Sequence, residues 1–440
     1  MSNKAHIVAV DMGYGHQRAA YPSRHLSPSG QVFIANNYPG IPSKDFRLWN
    51  GSQKLYETIS RCITIPLIGK HIFNAMDYFQ RIEEFYPRRD LSKPSLQLTT
   101  LYRSIRKGWG RHLIDKLNEQ SLPLITTFFT VAYMAEEHGF KNEIYQVICD
   151  SDMSRAWAPL KPTESRIKYL APCRRVVERL KLYGVKAENI FLTGFPLPEE
   201  NVGKNLEILR RDVAERIINL DPERRYREKY AETVKRFLKG IKINESHQHP
   251  LTLTFAVGGA GAQKTIARDI LQSLKVKLLA REINLTLVAG TRVDVKAYFN
   301  SIIAGIGLKA IVGKNLNILF SASKQKYFAD FNFALRTTDI LWTKPSELVF
   351  YSALGLPIIM APSVGSQENY NRTWLKTIGA GISQNDPRFC AEWLFDWVNS
   401  GWLAEAAING FLDKRQFGVQ NIEDAIFRGA TNPSMDDELI

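Results

Sequence analysis

Two glycine-rich corners, about 330 residues apart, constrain this chain more than any other feature. The first is Ile7-Val8-Ala9-Val10-Asp11-Met12-Gly13-Tyr14-Gly15-His16, an apolar run that breaks at Gly13 and continues into helix-forming Gln17-Arg18-Ala19-Ala20. The second starts at Asp339-Ile340-Leu341-Trp342 and passes through Thr343-Lys344-Pro345-Ser346-Glu347. It continues by Ala353-Leu354-Gly355-Leu356-Pro357-Ile358-Ile359 to Gly365-Ser366-Gln367-Glu368 and Asn371. Each corner follows a β-like run and opens a segment that reads as helix. Glycine lets backbone N–H groups approach a ligand closely, and a helix N-terminus favours negative charge, so each corner suits a polar or phosphorylated ligand. Two such corners imply a cleft between two α/β domains.

A chain of 440 residues with 45% hydrophobic content has enough material for two cores, and a single domain of that length would be unusual. No apolar run approaches the ~20 residues that span a bilayer. Met1-Ser2-Asn3-Lys4 leads into a strand without a secretory apolar region, so a cytoplasmic protein is expected. Cys62, Cys149, Cys173 and Cys390 show neither metal-ligand nor redox spacing, and no metal is expected. The formal charge of +14 attracts phosphate-rich ligands, nucleic acid or anionic membrane. The basic residues are spread along the chain, with no zinc-finger spacing and no RNA-recognition signature, so nucleic acid is not an expected partner.

β-like runs at Ala5–Val10, Gln31–Ala35, Leu124–Phe129 and Ile144–Cys149, with helical stretches between them, predict a parallel sheet in the first half. A second series starts at Leu251–Val257 and continues at Leu285–Ala289, Ile318–Phe320 and Leu356–Met360. The expected fold is therefore α/β, with two doubly wound Rossmann-like domains. The expected boundaries are 1–200 for the first domain, with an insertion at 50–118, and 249–385 for the second. Between them, 201–248 reads as a charged helical linker with Leu206, Leu209, Val213 and Ile217 on one face. Helices follow at 386–428 and a flexible tail at 429–440. The insertion interleaves Trp49, Tyr56, Phe73, Tyr78, Phe79, Phe85, Tyr86, Tyr102 and Trp109 with Arg88, Arg89, Lys93, Arg103, Arg106, Lys107 and Arg111. Such a surface suits a lipid headgroup region, although ordinary helix packing with a solvated basic face reads equally well.

The corners, together with Leu192-Thr193-Gly194-Phe195-Pro196, Val257-Gly258-Gly259-Ala260-Gly261-Ala262-Gln263 and Gly379-Ala380-Gly381, fall in the order of a known group. The chain resembles glycosyltransferases of the GT-B fold. The nearest families are the monogalactosyldiacylglycerol synthases and the N-acetylglucosaminyltransferase that completes the lipid-linked peptidoglycan precursor. The likeness runs with gaps from residue 5 to about residue 382. It implies two domains facing across a cleft, the first taking the acceptor and the second the donor, with a C-terminal helix crossing back, a task that Phe389–Trp402 is placed to perform. It further implies a nucleotide-sugar donor, with UDP the favoured nucleotide, no cofactor, and inverting transfer to a hydroxyl. The acceptor is left open to a lipid-linked molecule, with peripheral association at an anionic membrane.

Residue by residue, the resemblance places a required His at His16, at the corner formed by Gly13 and Gly15. An imidazole there has a pKa suited to taking a proton. Asp11 either orients it or ends the strand. Gly258, Gly259, Gly261 and Gln263 follow a strand and lead into a helix-like segment, where backbone donors suit a diphosphate. Lys344, Ser346 and Glu347 match the nucleotide-contacting loop, and Gln367, Glu368 and Asn371 match the stretch that faces the sugar. One departure stands out. The families carry a Glu before the Ala-Leu of the nucleotide helix, where this chain has Ser352, and Glu347 lies about one and a half helical turns earlier. That departure keeps a non-catalytic nucleotide-sugar-binding protein at the membrane in view, and the resemblance in fold keeps a nucleotide-sugar 2-epimerase as a further alternative.

Overall fold

The computed structural model describes residues 3–51, 81–241, 243–244, 249–258, 261, 263–363, 365–413 and 416–429. The chain divides into two compact units. One comprises Met1–Leu197, Val364–Asn371 and Arg415–Ile440; the other comprises Pro198–Ser363 and Arg372–Lys414.

The first unit is built on six parallel strands: β1 (His6–Ala9), β2 (Phe33–Ile34), β3 (Leu124–Thr126), β4 (Ile144–Val147), β5 (Lys168–Ala171) and β6 (Ile190–Leu192). Their spatial order is β2-β1-β3-β4-β5-β6. The register is set by pairs such as Ile7 with Ile125 and Thr126 with Gln146. β3 and β4 are buried along their whole length, as strands covered on both faces must be. Helices such as Phe129–Glu137 and Arg174–Leu182 supply the cover.

The second unit repeats the plan with β7 (Leu251–Ala256), β8 (Ile283–Gly290), β9 (Leu316–Phe320), β10 (Ile340–Thr343), β11 (Ile358–Met360) and β12 (Gly381–Ser383). The order is β12-β11-β10-β7-β8-β9, again all parallel. Renumbered within the unit, this is 6-5-4-1-2-3, the doubly wound dinucleotide-binding order. The doubly wound α/β class expected from the sequence is thus present twice.

The stretch 201–248 departs from the expected linker, because its described part is built into the second unit. Helix Glu207–Leu220 buries Leu209, Val213 and Ile217. Its Arg216 guanidinium is also buried and donates to the carbonyls of Leu335, Thr338, Leu354 and Gly355 at 2.7–3.2 Å. Charge density in the sequence suggested a solvated surface, but one of those charges ties down the loops around β10. Burial holds this guanidinium below its ordinary pKa range. Arg336 adds a two-pronged ion pair to Asp212, both contacts at 2.9 Å.

The C-terminal helices divide between the units. Helices Cys390–Asn399 and Trp402–Leu412 stay with the second, where Trp393 packs on Trp342 with ring centroids 5.2 Å apart. Helix Gly418–Phe427 belongs to the first. Its Ile422 and Ala425 join Ile7, Ala9 and Leu170 in one core cluster, and Asn421 donates to the Thr193 carbonyl at 2.9 Å. The segment that returns to the first unit is therefore this last helix rather than Phe389–Trp402. The tail expected at 429–440 lies, beyond its first residue, outside the described residues.

Candidate active site

In a doubly wound sheet, ligands bind beyond the carboxyl ends of the strands, where the strand order reverses. In the first unit that point lies between β1 and β3. β1 ends in the glycine corner, and Gly13 takes φ +93°, a conformation that disfavours any side chain. The Asp11 amide donates to Asn36 Oδ1 at 2.7 Å, and Asn36 Nδ2 returns a bond to the Asp11 carbonyl at 3.2 Å. The corner is thus fixed to the loop after β2 through the backbone of Asp11.

His16 lies in helix Gly15–Ala20, and its carbonyl accepts from Thr127 Oγ1, just past β3, at 2.9 Å. Its half-buried imidazole meets the Phe128 ring edge-on at 4.9 Å and the Trp157 ring at 5.9 Å. Phe129 packs on Trp157 at 4.9 Å, and Trp49 links Phe128 at 6.2 Å to Trp109 at 4.9 Å. The base candidate therefore stands in an aromatic wall drawn from the loops after β3 and β4 and from the edges of the insertion. Phe128, Phe129 and Trp157 were not singled out by the sequence reading. The Phe128-Phe129 pair directly after a buried strand was the available signal.

In the second unit the reversal lies between β7 and β10, whose ends carry Gly258 and Lys344. A Cβ added to Gly258 would lie 2.5 Å from Lys344 Cε and 3.0 Å from its Cδ, so the lysine stem runs across a surface that only glycine leaves open. Gly261, at φ +68°, closes a turn by donating to the Gly258 carbonyl at 2.8 Å. Gln263 Nε2 donates to the Pro362 carbonyl at 2.6 Å, joining the loops after β7 and β11. Ser346 donates its amide to the Lys344 carbonyl at 2.8 Å and precedes the 3₁₀ segment Glu347–Leu354, whose Glu347 is buried. Gly259 lies outside the described residues.

Ser352 is 1% exposed and packs against Gly410 of helix Trp402–Leu412. The position where the resembling families carry a ribose-gripping Glu is therefore a packing position here. Glu347, at the start of the same 3₁₀ segment, remains its carboxylate and is close in sequence to Lys344.

The residues expected around the donor divide between the two units. Gly258, Gly261, Gln263, Lys344, Ser346 and Glu347 belong to the second, whereas Gln367, Glu368 and Asn371 group with the first. Gln367 and Glu368 open helix Ser366–Thr377 and are half-buried. Asn371 is completely buried, with Oδ1 accepting from the Ser151 amide and Nδ2 donating to Asp150 Oδ1, both at 2.8 Å. The next residue in that loop, Asp152, pairs with buried Arg179 at 2.8 and 3.0 Å and with Arg175 at 2.8 Å. Arg175 in turn stacks on Phe85, 3.7 Å from the ring centroid. Asn371 is thus committed to the loop after β4.

Within the insertion, Trp49, Phe85, Tyr102 and Trp109 are buried, so these aromatics pack the first unit. Tyr56, Phe73, Tyr78 and Phe79 lie outside the described residues. Arg106 is held by Glu137 through contacts of 2.8 and 3.1 Å, while Arg103, Lys107 and Arg111 are exposed. Among the described residues of this region, Leu96 and Tyr86, 81% and 69% exposed, are large apolar groups turned to solvent. Among the described residues, no helix is long and apolar enough to cross a membrane. Also among them, no group of three or more His, Cys, Asp or Glu is placed to hold a metal ion.

No protein-family model matches the chain, and no curated protein matches it by sequence. Solved structures with a similar fold include MurG of Acinetobacter baumannii, at 12% identity and a TM-score of 0.47, covering 96% of this chain and 99% of that one. They also include a putative UDP-N-acetylglucosamine 2-epimerase of Listeria monocytogenes, at 11% identity and 0.46, covering 78% and 83%. A third is Anabaena HepE in complex with UDP, at 13% identity and 0.42, covering 77% and 84%. All three scores fall below one half, and the architecture given above rests on this chain's own strand order.

Proposed function

We propose that this protein is a nucleotide-sugar-dependent glycosyltransferase, with UDP the nucleotide, that transfers its sugar to an acceptor hydroxyl with inversion. The observation that carries the reading is the glycine corner at each of the two strand-order reversals, one bearing a histidine and the other a lysine laid across a glycine. The second unit takes the donor, with the loop at 258–263 and Lys344 on the diphosphate and Glu347 directed to the ribose. The first unit takes the acceptor.

In the proposed step, the His16 imidazole removes the proton of the acceptor hydroxyl. The oxygen forms its bond to the anomeric carbon as the bond from that carbon to the diphosphate oxygen breaks. The electron pair leaves with UDP, where the Lys344 ammonium and backbone N–H groups offset the growing negative charge. Positive potential of this kind, aimed at a leaving group, is typically among the largest contributions to catalysis.

A thermal-shift screen against UDP, GDP, ADP and TDP tests the donor assignment, since a ligand of the folded state raises the apparent stability with its concentration. UDP is expected to shift the transition and Lys344→Ala to abolish the shift; no shift with any nucleotide would overturn the reading. Release of UDP that requires an added acceptor separates transfer from epimerisation, which needs none.

A lipid-linked acceptor is the finer part of the proposal, supported by the exposed Arg103, Lys107 and Arg111 and the exposed Leu96 and Tyr86. Each basic residue near an anionic leaflet contributes on the order of 1 kcal/mol. Replacing the three with Gln is expected to reduce co-sedimentation with phosphatidylserine vesicles. Undiminished binding would remove this part of the proposal and leave the donor assignment standing.

A further inference from the structure

Helix Trp402–Leu412 buries Leu403, Ala404, Ala407, Ile408 and Phe411, as its apolar composition requires, yet its bulkiest residue faces water. Trp402 is 57% exposed. Residues three, four and seven positions on, namely Glu405, Ala406 and Asn409, share its face of the helix. The stripe therefore reads indole, carboxylate, methyl, amide. All four residues line one groove of about 580 Å³ in the second unit, a volume within the ordinary range for small-molecule sites. Lys376, Ser383, Asn385 and the indole of Trp397 add to its polar and aromatic lining, and β12, at the edge of the sheet, forms one wall. This edge is separated from the proposed donor site by β11 and β10.

We propose that this groove is a saccharide-binding site, distinct from the donor and acceptor sites of the reaction. An exposed indole face accepts the apolar C–H face of a pyranose. The Asn385 amide both donates and accepts, as vicinal hydroxyls require, and Asn409, whose Nδ2 donates to the Gly379 carbonyl at 3.3 Å, adds its Oδ1 as an acceptor. Lys376 and Glu405 contribute one charge of each sign, which suits a neutral, polyhydroxylated ligand better than a phosphate. Ala406, between Glu405 and Asn409 on the helix face, leaves room for a ring. A flat apolar ligand would leave the Asn385 amide and both charges unsolvated, at a cost. The site is independent of the glycosyltransferase reading, and it gives the second unit a means of holding a glycan at the edge of its sheet.

Saturation-transfer NMR on the protons of glucose, galactose, N-acetylglucosamine and their disaccharides tests the assignment. At least one saccharide is expected to receive saturation on its C–H face. Trp402→Ala is expected to weaken this binding by about tenfold, the size of an aromatic stacking contact, and Trp402→Phe to restore much of it. Saturating UDP and the Lys344→Ala variant are expected to leave it unchanged. If no saccharide receives saturation, or Trp402→Ala has no effect, the proposal is overturned. Competition by UDP would move the sugar to the donor site and also overturn it, while supporting the nucleotide-sugar reading. Transfer to uridine or adenosine in place of every sugar would refute the ligand class.

Discussion

The two glycine corners occupy the same place in two similar sheets and are furnished in opposite ways. Around the first, an imidazole stands against the rings of Phe128 and Trp157. At the second, a lysine stem lies over bare glycine backbone. Aromatic walls lower local polarity and fix orientation, which suits a neutral hydroxyl about to lose a proton. An ammonium stem against glycine backbone suits charge. One architecture has thus been given two chemistries by the residues placed after a few strands, because the fold alone does not determine what a site does.

The comparison breaks most visibly at His16. Replacement by Ala is expected to reduce transfer by about 10²- to 10⁴-fold, the usual contribution of a general base, while leaving UDP affinity unchanged in calorimetry. An equal loss of UDP affinity would mean that the two corners do not divide the work as described.

Lys344→Ala, unlike the His16 variant, should weaken UDP binding, by about 10- to 100-fold, the range of a lost charge-assisted hydrogen bond. Gly258→Ala sharpens the point. Its methyl group meets the flexible end of Lys344 and not backbone, so UDP affinity should fall with little change in melting temperature. A large drop in melting temperature with intact UDP binding would show that Gly258 serves packing alone.

Asn371 tests where the dividing line runs. Its side chain is bonded on both sides to the loop after β4, so Asn371→Ala should cost about 1–3 kcal/mol of stability in denaturant unfolding. Donor affinity falling with no stability change would place it with the second corner instead.

The smallest expected effect lies at the opposite end of the second sheet. Burial raises the Asp339 carboxyl to about pH 6, despite His249 at 3.9 Å, the nearby Arg216, and bonds from the Thr252 amide and Asn219. The unfolded chain releases this proton near pH 4. Between those values the folded state holds more protons than the unfolded state, so this group's contribution to stability falls as pH rises through the interval and stays low above it. Asp339→Asn removes the titration. Its melting temperature relative to wild type should therefore be higher at about pH 7.5 than at about pH 4.5, and a pH-independent difference would refute the assignment.

Much of this was legible in the chain. β1, β7 and β10 are apolar runs halted by Gly or Pro, and they carry the corners with them. β5, β6 and β12 were not anticipated, because three or four residues give no measurable period and Lys168 or Gly381 at the start conceals the run. Arg216 was misleading for a different reason: a buried guanidinium satisfied by four carbonyls looks, in sequence, like any surface charge. Of the candidate site, the glycines, His16 and Lys344 could be named from the chain alone. The aromatic wall and the commitment of Asn371 could not, since both depend on residues brought together across more than a hundred positions.

The last described helix has a consequence for how the protein is made. Ile422 and Ala425 complete the core around Ile7 and Ala9, so β1 lacks part of its cover until helix Gly418–Phe427 has left the ribosome. The second unit, drawn from 198–363 and 372–414, has all its strands and major helices earlier. Because domains tend to fold as units while the chain emerges, the later half of this protein is positioned to finish before the earlier half. A nick just after residue 413 would then strip cover from the beginning of the chain and leave the middle standing.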